Sequence, residues 1–229
     1  MICLPRDIRR LQGCQLLSRI EALPGVESVM LTSRTPLTFG GGSTSVKPEG
    51  YVPPPNVSME TQVAIISPKY FQTMQLPLAQ GRDFTPQDAK KAQRVAIVNE
   101  TFVDRYRPQQ EAVGKQVVSD LTNESFTVVG VARNSKYNQL NEAPMPFVYL
   151  PLYQVYRAGM TINARVPGDP LAFGKLVDKT IHDLNADIVV FDITTLELRQ
   201  QIATIGLRIG GTFIDAFGVL ELVLAAVGI

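Results

Sequence analysis

The sequence predicts an α+β domain followed by the start of a transmembrane helix. Three observations carry that expectation. Strand-like and helix-like segments follow one another in mixed order, which favours α+β over a doubly wound sheet. Several helical segments open on a hydroxyl or carboxylate residue followed by proline, a helix-start signature. Last, Thr212 to Ile229 reads TFIDAFGVLELVLAAVGI, almost wholly apolar, where a membrane span needs about 20 such residues.

The elements follow in order. Arg6 to Leu23 reads as a helix, with Ile8, Leu11, Leu16, Leu17 and Ile20 near one side and Pro24-Gly25 as its stop. Val26 to Thr32 alternates like a strand. Gly40 to Pro55 is rich in Gly, Ser and Pro and reads as a long loop, with a strand near Ser45 to Lys47. Thr61 to Ile66 is a further strand. Ser67-Pro68 reads as an N-cap with proline at the first helical position, ahead of Tyr70, Phe71 and Met74. Thr85-Pro86-Gln87-Asp88 repeats the device, with Asp88 as the capping-box acid. Arg94 to Val98 is a strand, and Asn99 is placed to cap a helix ending before Pro108. Lys115 to Ser119 and Phe126 to Ala132 read as paired strands. Phe147 to Leu150 and Met160 to Val166 are further strands. Asp169-Pro170 opens a helix with Phe173, Leu176, Val177, Ile181 and Leu184 inward, and Asp187 to Ile193 is the last strand. Thr194 with Glu197 forms a capping box for a helix that runs towards the apolar tail, with a bend at Gly210-Gly211.

Composition sets bounds. The chain has 229 residues, 45% of them hydrophobic, enough to bury a core. Its net charge of +1 points to neither a nucleic-acid nor an acidic partner. The two cysteines, Cys3 and Cys14, match no metal spacing, and helical rise sets them too far apart for a ready disulfide. Pro5, Arg6, Arg9 and Arg10 interrupt any signal-peptide core, so an extracytoplasmic domain needs an upstream membrane helix to deliver it.

The usual catalytic constellations are missing. His182 is the single histidine, and its helical neighbours Lys179, Asp178 and Lys175 mark a solvent face. No second histidine exists for a triad or a histidine zinc site. Gly40-Gly41-Gly42 lacks the Lys and Ser/Thr of a phosphate-binding loop, so it reads as a flexible loop, or less readily as a mobile arm that touches a partner. The acids Asp83, Asp88, Glu100, Asp104 and Glu111 are scattered, and only folding in space would pair them for hydrolysis. Arg6, Arg9 and Arg10 read as a solvated helix face that can also lie near headgroups. The expected site inventory is therefore no catalytic, cofactor-binding or metal-binding residue, and no cofactor.

Within the tail, Asp215 and Glu221 are the awkward residues. A carboxylate near the bilayer centre costs about 2.5–3.5 kcal/mol on insertion scales. Two readings stand: a span in which Glu221 faces a helix bundle, or a buried or amphipathic helix of a soluble protein. The first is preferred because Val219 to Ile229 holds no charge other than Glu221 and no proline.

Together the segments resemble the extracytoplasmic core domain of MacB-type ABC transporter permeases, in the wider FtsX-like group. The matching pieces are LPGVESV (Leu23 to Val29), Pro36-Leu37, ISPKYFQTM (Ile66 to Met74) and GRDFTPQD (Gly81 to Asp88). They continue with VAIVNETFVDRY (Val95 to Tyr106), VGK (Val113 to Lys115), FTVVGVA (Phe126 to Ala132), VYLPL (Val148 to Leu152) and the terminal FGVLELVLAAVGI. The resemblance implies a two-part extracytoplasmic domain. A porter-like α/β unit comes from residues 1–66 and 153–200, and a small α/β unit from 67–152 is inserted in it. Residues 201–229 then form a stalk and truncated membrane helix. It implies a non-catalytic role, coupling ATPase-driven motion across the membrane to export or signalling. The implied location is the periplasmic side of the inner membrane. The implied partners are a separate ATP-binding subunit, the remaining permease helices, a second permease copy, and a periplasmic adaptor or peptide or lipid cargo. Glu221, where a small apolar residue is usual, and the absent membrane helices depart from the pattern and suggest a fragment. The rivals are a soluble periplasmic binding or chaperone-like module, and a hydrolase built on acids that meet in space.

Overall fold

The computed structural model describes residues 2–3, 10–37, 42–54, 58–88, 93–106, 110–155, 157, 159–186, 188–190 and 192–204. Elements run in the order β1 (Ile2–Cys3), α1 (Arg10–Glu21), β2 (Ser28–Thr32), β3 (Ser43–Pro48), β4 (Glu60–Ile66), α2 (Tyr70–Met74), β5 (Leu78–Gly81), β6 (Val95–Asn99) and α3 (Glu100–Tyr106). They continue with β7 (Gln116–Ser119), β8 (Glu124–Ala132), β9 (Phe147–Pro151), β10 (Gly159–Arg165), α4 (Pro170–Leu184) and β11 (Val189–Val190). Residues 196–204 are helical. The mixed α/β character read from the sequence is present. The expected membrane helix falls on residues outside those described, and among the described residues no helix is long and apolar enough to cross a membrane.

All the strands join one sheet, which closes on itself in part. β4 pairs with β3, β3 with β7 and β7 with β8, each antiparallel. β8 pairs with β6 in parallel, β6 with β9 antiparallel, and β9 with β4 in parallel. These six strands form a hydrogen-bonded ring. Side chains alternate across a strand, so the ring has an inside and an outside. Val63 and Ile65 of β4, Ala96 and Val98 of β6, Phe126 and Val128 of β8, and Val148 and Leu150 of β9 share the inner cluster. Phe102 and Tyr106 of α3 join it, packed edge to face at 4.7 Å. The intervening residues Ala64, Ile66, Val95, Ile97, Phe147 and Tyr149 face outwards, under Tyr70 and Phe71 of α2.

The rest of the sheet is a simpler layer. β10 pairs along its length with β2, which meets β4 at one register pair, Thr32 with Ile66. Leu16 and Ile20 of α1 and Val177 and Ile181 of α4 pack with Val29 of β2 in a third cluster. Two glycines permit a tight approach at the far side of the ring. Gly81 and Gly130 are register partners between β5 and β8. A Cβ on Gly81 would stand 2.2 Å from the Val129 carbonyl oxygen, and one on Gly130 would stand 2.6 Å from that of Arg82.

Several caps stand as expected and others move. Asn99 Oδ1 accepts the Phe102 N–H at 3.0 Å, and Asp169 Oδ1 accepts that of Leu171 at 2.9 Å. Asp169→Ala should therefore cost about 1 kcal/mol in urea unfolding, whereas Asp169→Asn, which keeps the acceptor, should cost much less. Ser67 does not cap α2. Its hydroxyl accepts the Leu31 N–H at 2.8 Å, while Lys69 at the helix start takes a left-handed conformation with no side-chain cap. A tertiary donor outcompeted the local one. Thr195, not Thr194, caps the helical segment 196–204, accepting from Leu198 N at 3.0 Å. Leu176, expected inward, is 40% exposed.

Candidate functional site

Two constructions could carry function: a buried polar hub and an open cleft. The hub forms where the loop after β2 meets α2, β9 and the segment around Tyr137. Arg34 is 4% exposed. Its guanidinium donates to Gln62 Oε1 and, at 2.5 Å, to Asn138 Oδ1. It also lies 5.6 Å from the Tyr137 ring centroid and 5.7 Å from that of Phe147, within cation–π range. Beside it three phenols are linked, Tyr70 to Tyr137 at 2.5 Å and Tyr137 to Tyr149 at 3.1 Å. Burial pushes all three phenols above their ordinary range and keeps them neutral. Burial likewise lowers the Arg34 guanidinium, a shift opposed first by Tyr137 and then by Glu142. The Glu142 carboxylate accepts backbone N–H groups of Tyr137, Asn138 and Gln139, which fixes the loop carrying the hub. The hub joins the loop after β2 to β4, α2, β9 and the segment around Tyr137.

The cleft has a volume of about 350 Å³ and runs along β10. Phe173, Val177 and Ile181 of α4 line one wall, and Thr35, Thr73 and Arg165 another. Residues 192–197 border it. Arg165 Nη2 donates to the Thr73 carbonyl at 3.0 Å, while its Nε is buried with no partner among the described residues. Asp192 is paired with Arg199 at 3.1 Å.

The residues weighed from sequence do not assemble into a reaction centre. His182 is exposed, with its Nδ1 2.9 Å from the Asp178 carbonyl oxygen of its own helix. Glu100 pairs with Arg133 at 2.6 Å, and Asp104 and Glu111 face solvent. Asp83 accepts the Phe84 N–H at 2.6 Å. Gly40, Gly41, Arg6 and Arg9 lie outside the described residues, as do Asp215 and Glu221. Among the described residues no three metal-ligating side chains gather.

Asp88 does what a capping-box acid does, but at a turn. Its Oδ2 accepts the Thr85 N–H at 2.9 Å, and both its oxygens accept from Arg82, at 2.7 and 2.9 Å. Hydrogen bonding by Arg82 holds the Asp88 carboxyl below its ordinary range, so the folded state binds that proton less tightly than the unfolded chain. The resulting stabilisation is present above about pH 4 and is lost as pH falls through the lower folded value. Asp88→Asn should flatten this part of the acid limb in pH-dependent unfolding and cost about 1–2 kcal/mol at neutral pH. The half-exposed Arg82 limits that cost, since water takes up its freed donors.

The described residues form a mixed α/β domain with helices packed on a partly closed sheet. Comparison with solved structures places the fold. Over 88% of this chain and 90% of the other, it superposes on the periplasmic region of MacB from Actinobacillus actinomycetemcomitans, with TM-score 0.59 and 16% identity. Over 83% of this chain and 97% of the other, it matches the extracellular domain of the noncanonic ABC-type transporter YknZ from Gram-positive bacteria, with TM-score 0.56 and 15% identity. The model of the MacB-like periplasmic core domain matches residues 6–180, and the chain belongs to that family, a domain of ABC transporter permeases.

Two curated relatives agree. A probable export ATP-binding/permease protein MacB of Pseudomonas entomophila (strain L48) is 27% identical over 121 residues, 52% of this chain and 18% of the relative. A probable syringafactin export ATP-binding/permease protein SyfD of Pseudomonas syringae pv. syringae (strain B728a) is 26% identical over 199 residues, 75% of this chain and 29% of the relative. The chain thus spans less than a third of either relative's length. Membership implies a membrane-associated, extracytoplasmic setting.

Proposed function

We propose that this chain is a non-catalytic extracytoplasmic domain of an inner-membrane ABC transporter permease, which couples motion driven by a separate ATP-binding subunit to export or signalling. The observation that carries the reading is the family match over residues 6–180, with a helical segment at 196–204, after β11, that precedes the apolar tail in sequence. A helix leaving a folded domain for a bilayer acts as a lever, and packed bodies shift about loops. The two-part architecture belongs to this proposal. In its support, the layer of α1, α4, β2 and β10 has an apolar cluster of its own, while Met30, Leu31 and Met160 pack it onto the ring. β3 and β4 would move with the inserted unit, since they are hydrogen-bonded to β7 and β9. The export named for the relatives supports cargo movement as the output.

The test is topological. Leu171 is 53% exposed, so Leu171→Cys, made with Cys3 and Cys14 replaced by serine, offers one reactive thiol. In intact cells with a permeabilised outer membrane, a membrane-impermeant maleimide should label it, and the labelled chain should pellet with membranes. Labelling only after lysis, or recovery in the soluble fraction, would contradict the reading.

A further inference from the structure

The start of α2 carries two conflicting instructions. Ser67-Pro68-Lys69 encodes a helix that begins at Pro68 with the Ser67 hydroxyl as its cap. In the structure the helix begins two residues later, at Tyr70. Lys69 stands before it at φ 66° and ψ 7°, a left-handed conformation that suits glycine and costs an L side chain energy. No side chain caps the first turn. The far end holds no such conflict. There left-handed Gln75 closes the helix in the usual way, with the Leu76 N–H on the Phe71 carbonyl at 2.9 Å. The cause at the start is the crossing of β2 and β4, where Thr32 and Ile66 are register partners. Ser33 N–H donates to the Ile65 carbonyl at 2.8 Å, and Ser67 N–H to that of Leu31 at 2.9 Å. Two serine hydroxyls extend the crossing, Ser33 accepting the Ile65 N–H at 2.9 Å and Ser67 that of Leu31 at 2.8 Å. With Ser67 so engaged, the chain turns at Lys69 to bring Tyr70 and Phe71 onto Tyr149.

We propose that the start of α2 is a two-way switch that sets how firmly β2 grips the end of β4. In the described arrangement Ser67 Oγ holds the Leu31 N–H and Lys69 is left-handed. In the other, Ser67 caps a helix lengthened to Pro68, Lys69 turns right-handed, and the Leu31 N–H is released. Lys69 cannot be left-handed and lie within a helix, so the two arrangements exclude each other. They are close in energy for a physical reason. The second gains a cap and an unstrained lysine, and the first keeps one buried hydrogen bond. Local preference and tertiary contact disagree here, which is the condition for a low-lying alternative state. The side that gives way follows from the contacts of α2. Towards the ring, Tyr70 and Phe71 are buried among aromatic rings, and the Tyr70 hydroxyl is bonded to that of Tyr137. Towards the layer, α2 has an exposed ion pair from Lys69 to Glu21 of α1, and one bond from Arg165 of β10 to the Thr73 carbonyl. Turning the switch therefore loosens the layer and leaves the aromatic side packed. An element with two discrete arrangements is what couples packed bodies. The switch stands independently of the transport reading.

The test uses amide hydrogen exchange and backbone NMR on the full chain in detergent micelles. The Leu31 amide should exchange about tenfold or more faster than the amide of Val98, buried in the ring, which reports global opening. Lys69→Gly should slow Leu31 about fivefold or more and Val98 less, because glycine eases the left-handed turn and weakens the longer helix. Lys69→Ile, whose branched side chain opposes a positive φ, should quicken Leu31 and move the backbone carbon shifts of residues 68–70 to helical values. Lys69→Met, which also removes the ion pair, should show neither change to the same degree. Ser67→Ala, which removes both bonds of the hydroxyl, should quicken Leu31 without the helical shifts. Equal exchange at Leu31 and Val98, equal slowing of the two by Lys69→Gly, or shifts at 68–70 that stay non-helical in folded Lys69→Ile overturns the proposal. Should Lys69→Ile fail to fold, the glycine variant alone decides.

Discussion

Phe126→Ala should destabilise the chain by about 3–5 kcal/mol, the range for deleting a buried aromatic side chain and leaving its cavity. Phe126 is fully buried on β8 inside the ring, among Val128, Val117 and Val63. It also carries Arg94 at 5.8 Å from its ring centroid, and that guanidinium pairs with Glu124. Eight strands contribute to the cluster around it, so no single element can move in to fill the space. Folded domains hold only about 5–15 kcal/mol in total, and the variant should lose a large part of that. Urea unfolding of the detergent-solubilised chain, followed by circular dichroism, measures the change. Leu171→Ala, at a half-exposed site on α4, is the control and should stay within about 0.5 kcal/mol. Equal effects at the two positions would show that the ring interior is not a packed core.

Arg34→Met should cost about 1–3 kcal/mol, through lost hydrogen bonding and lost stacking. The half-buried Gln62 oxygen loses its charged donor, while the exposed Asn138 oxygen turns to water, and the buried faces of Tyr137 and Phe147 lose the guanidinium stacked on them. Arg34→Lys should recover only part of the loss, because an ammonium cannot present the planar fork or stack on Tyr137 and Phe147. Arg34→Met and Tyr137→Phe should combine non-additively, since the two residues share one network. The hub also sets an alkaline limit. Burial raises the folded phenols of Tyr70, Tyr137 and Tyr149 above the unfolded value. The folded state then holds protons that the unfolded chain releases, so stability is full below about pH 10 and falls as pH rises beyond it. Replacing Tyr70 with phenylalanine should weaken that dependence. Additive single costs, or an alkaline limb unchanged by Tyr70→Phe, would remove the hub from the account.

Much of the chain was legible one element at a time. The strands show the expected apolar character, and Asn99 and Asp169 cap as their position suggests, because a cap is decided within four residues. Ring closure was not legible. Gln62 pairs with Phe147, and Val46 with Ser119, and nothing in either segment names so distant a partner. Ser67 shows how tertiary contact overrides a local signal. Serine before proline reads as a cap, yet the same hydroxyl takes the Leu31 N–H and joins β2 to the end of β4. Arg34 gave no sequence signal, since an arginine after a strand usually faces water. Its importance arises from Gln62, Asn138 and Tyr137, brought together by folding. The apolar tail, by contrast, is conspicuous in sequence and lies outside the described residues.

The central claim is that this domain relays ATP-driven movement. The direct measurement places a photo-crosslinking residue at Leu198, 46% exposed on the segment leading towards the tail, in vesicles holding the assembled transporter. Crosslinking to neighbouring permease or adaptor chains should change when ATP is hydrolysed, and should stay at its resting level with a hydrolysis-defective ATP-binding subunit. The same crosslinking pattern with and without hydrolysis would contradict the relay.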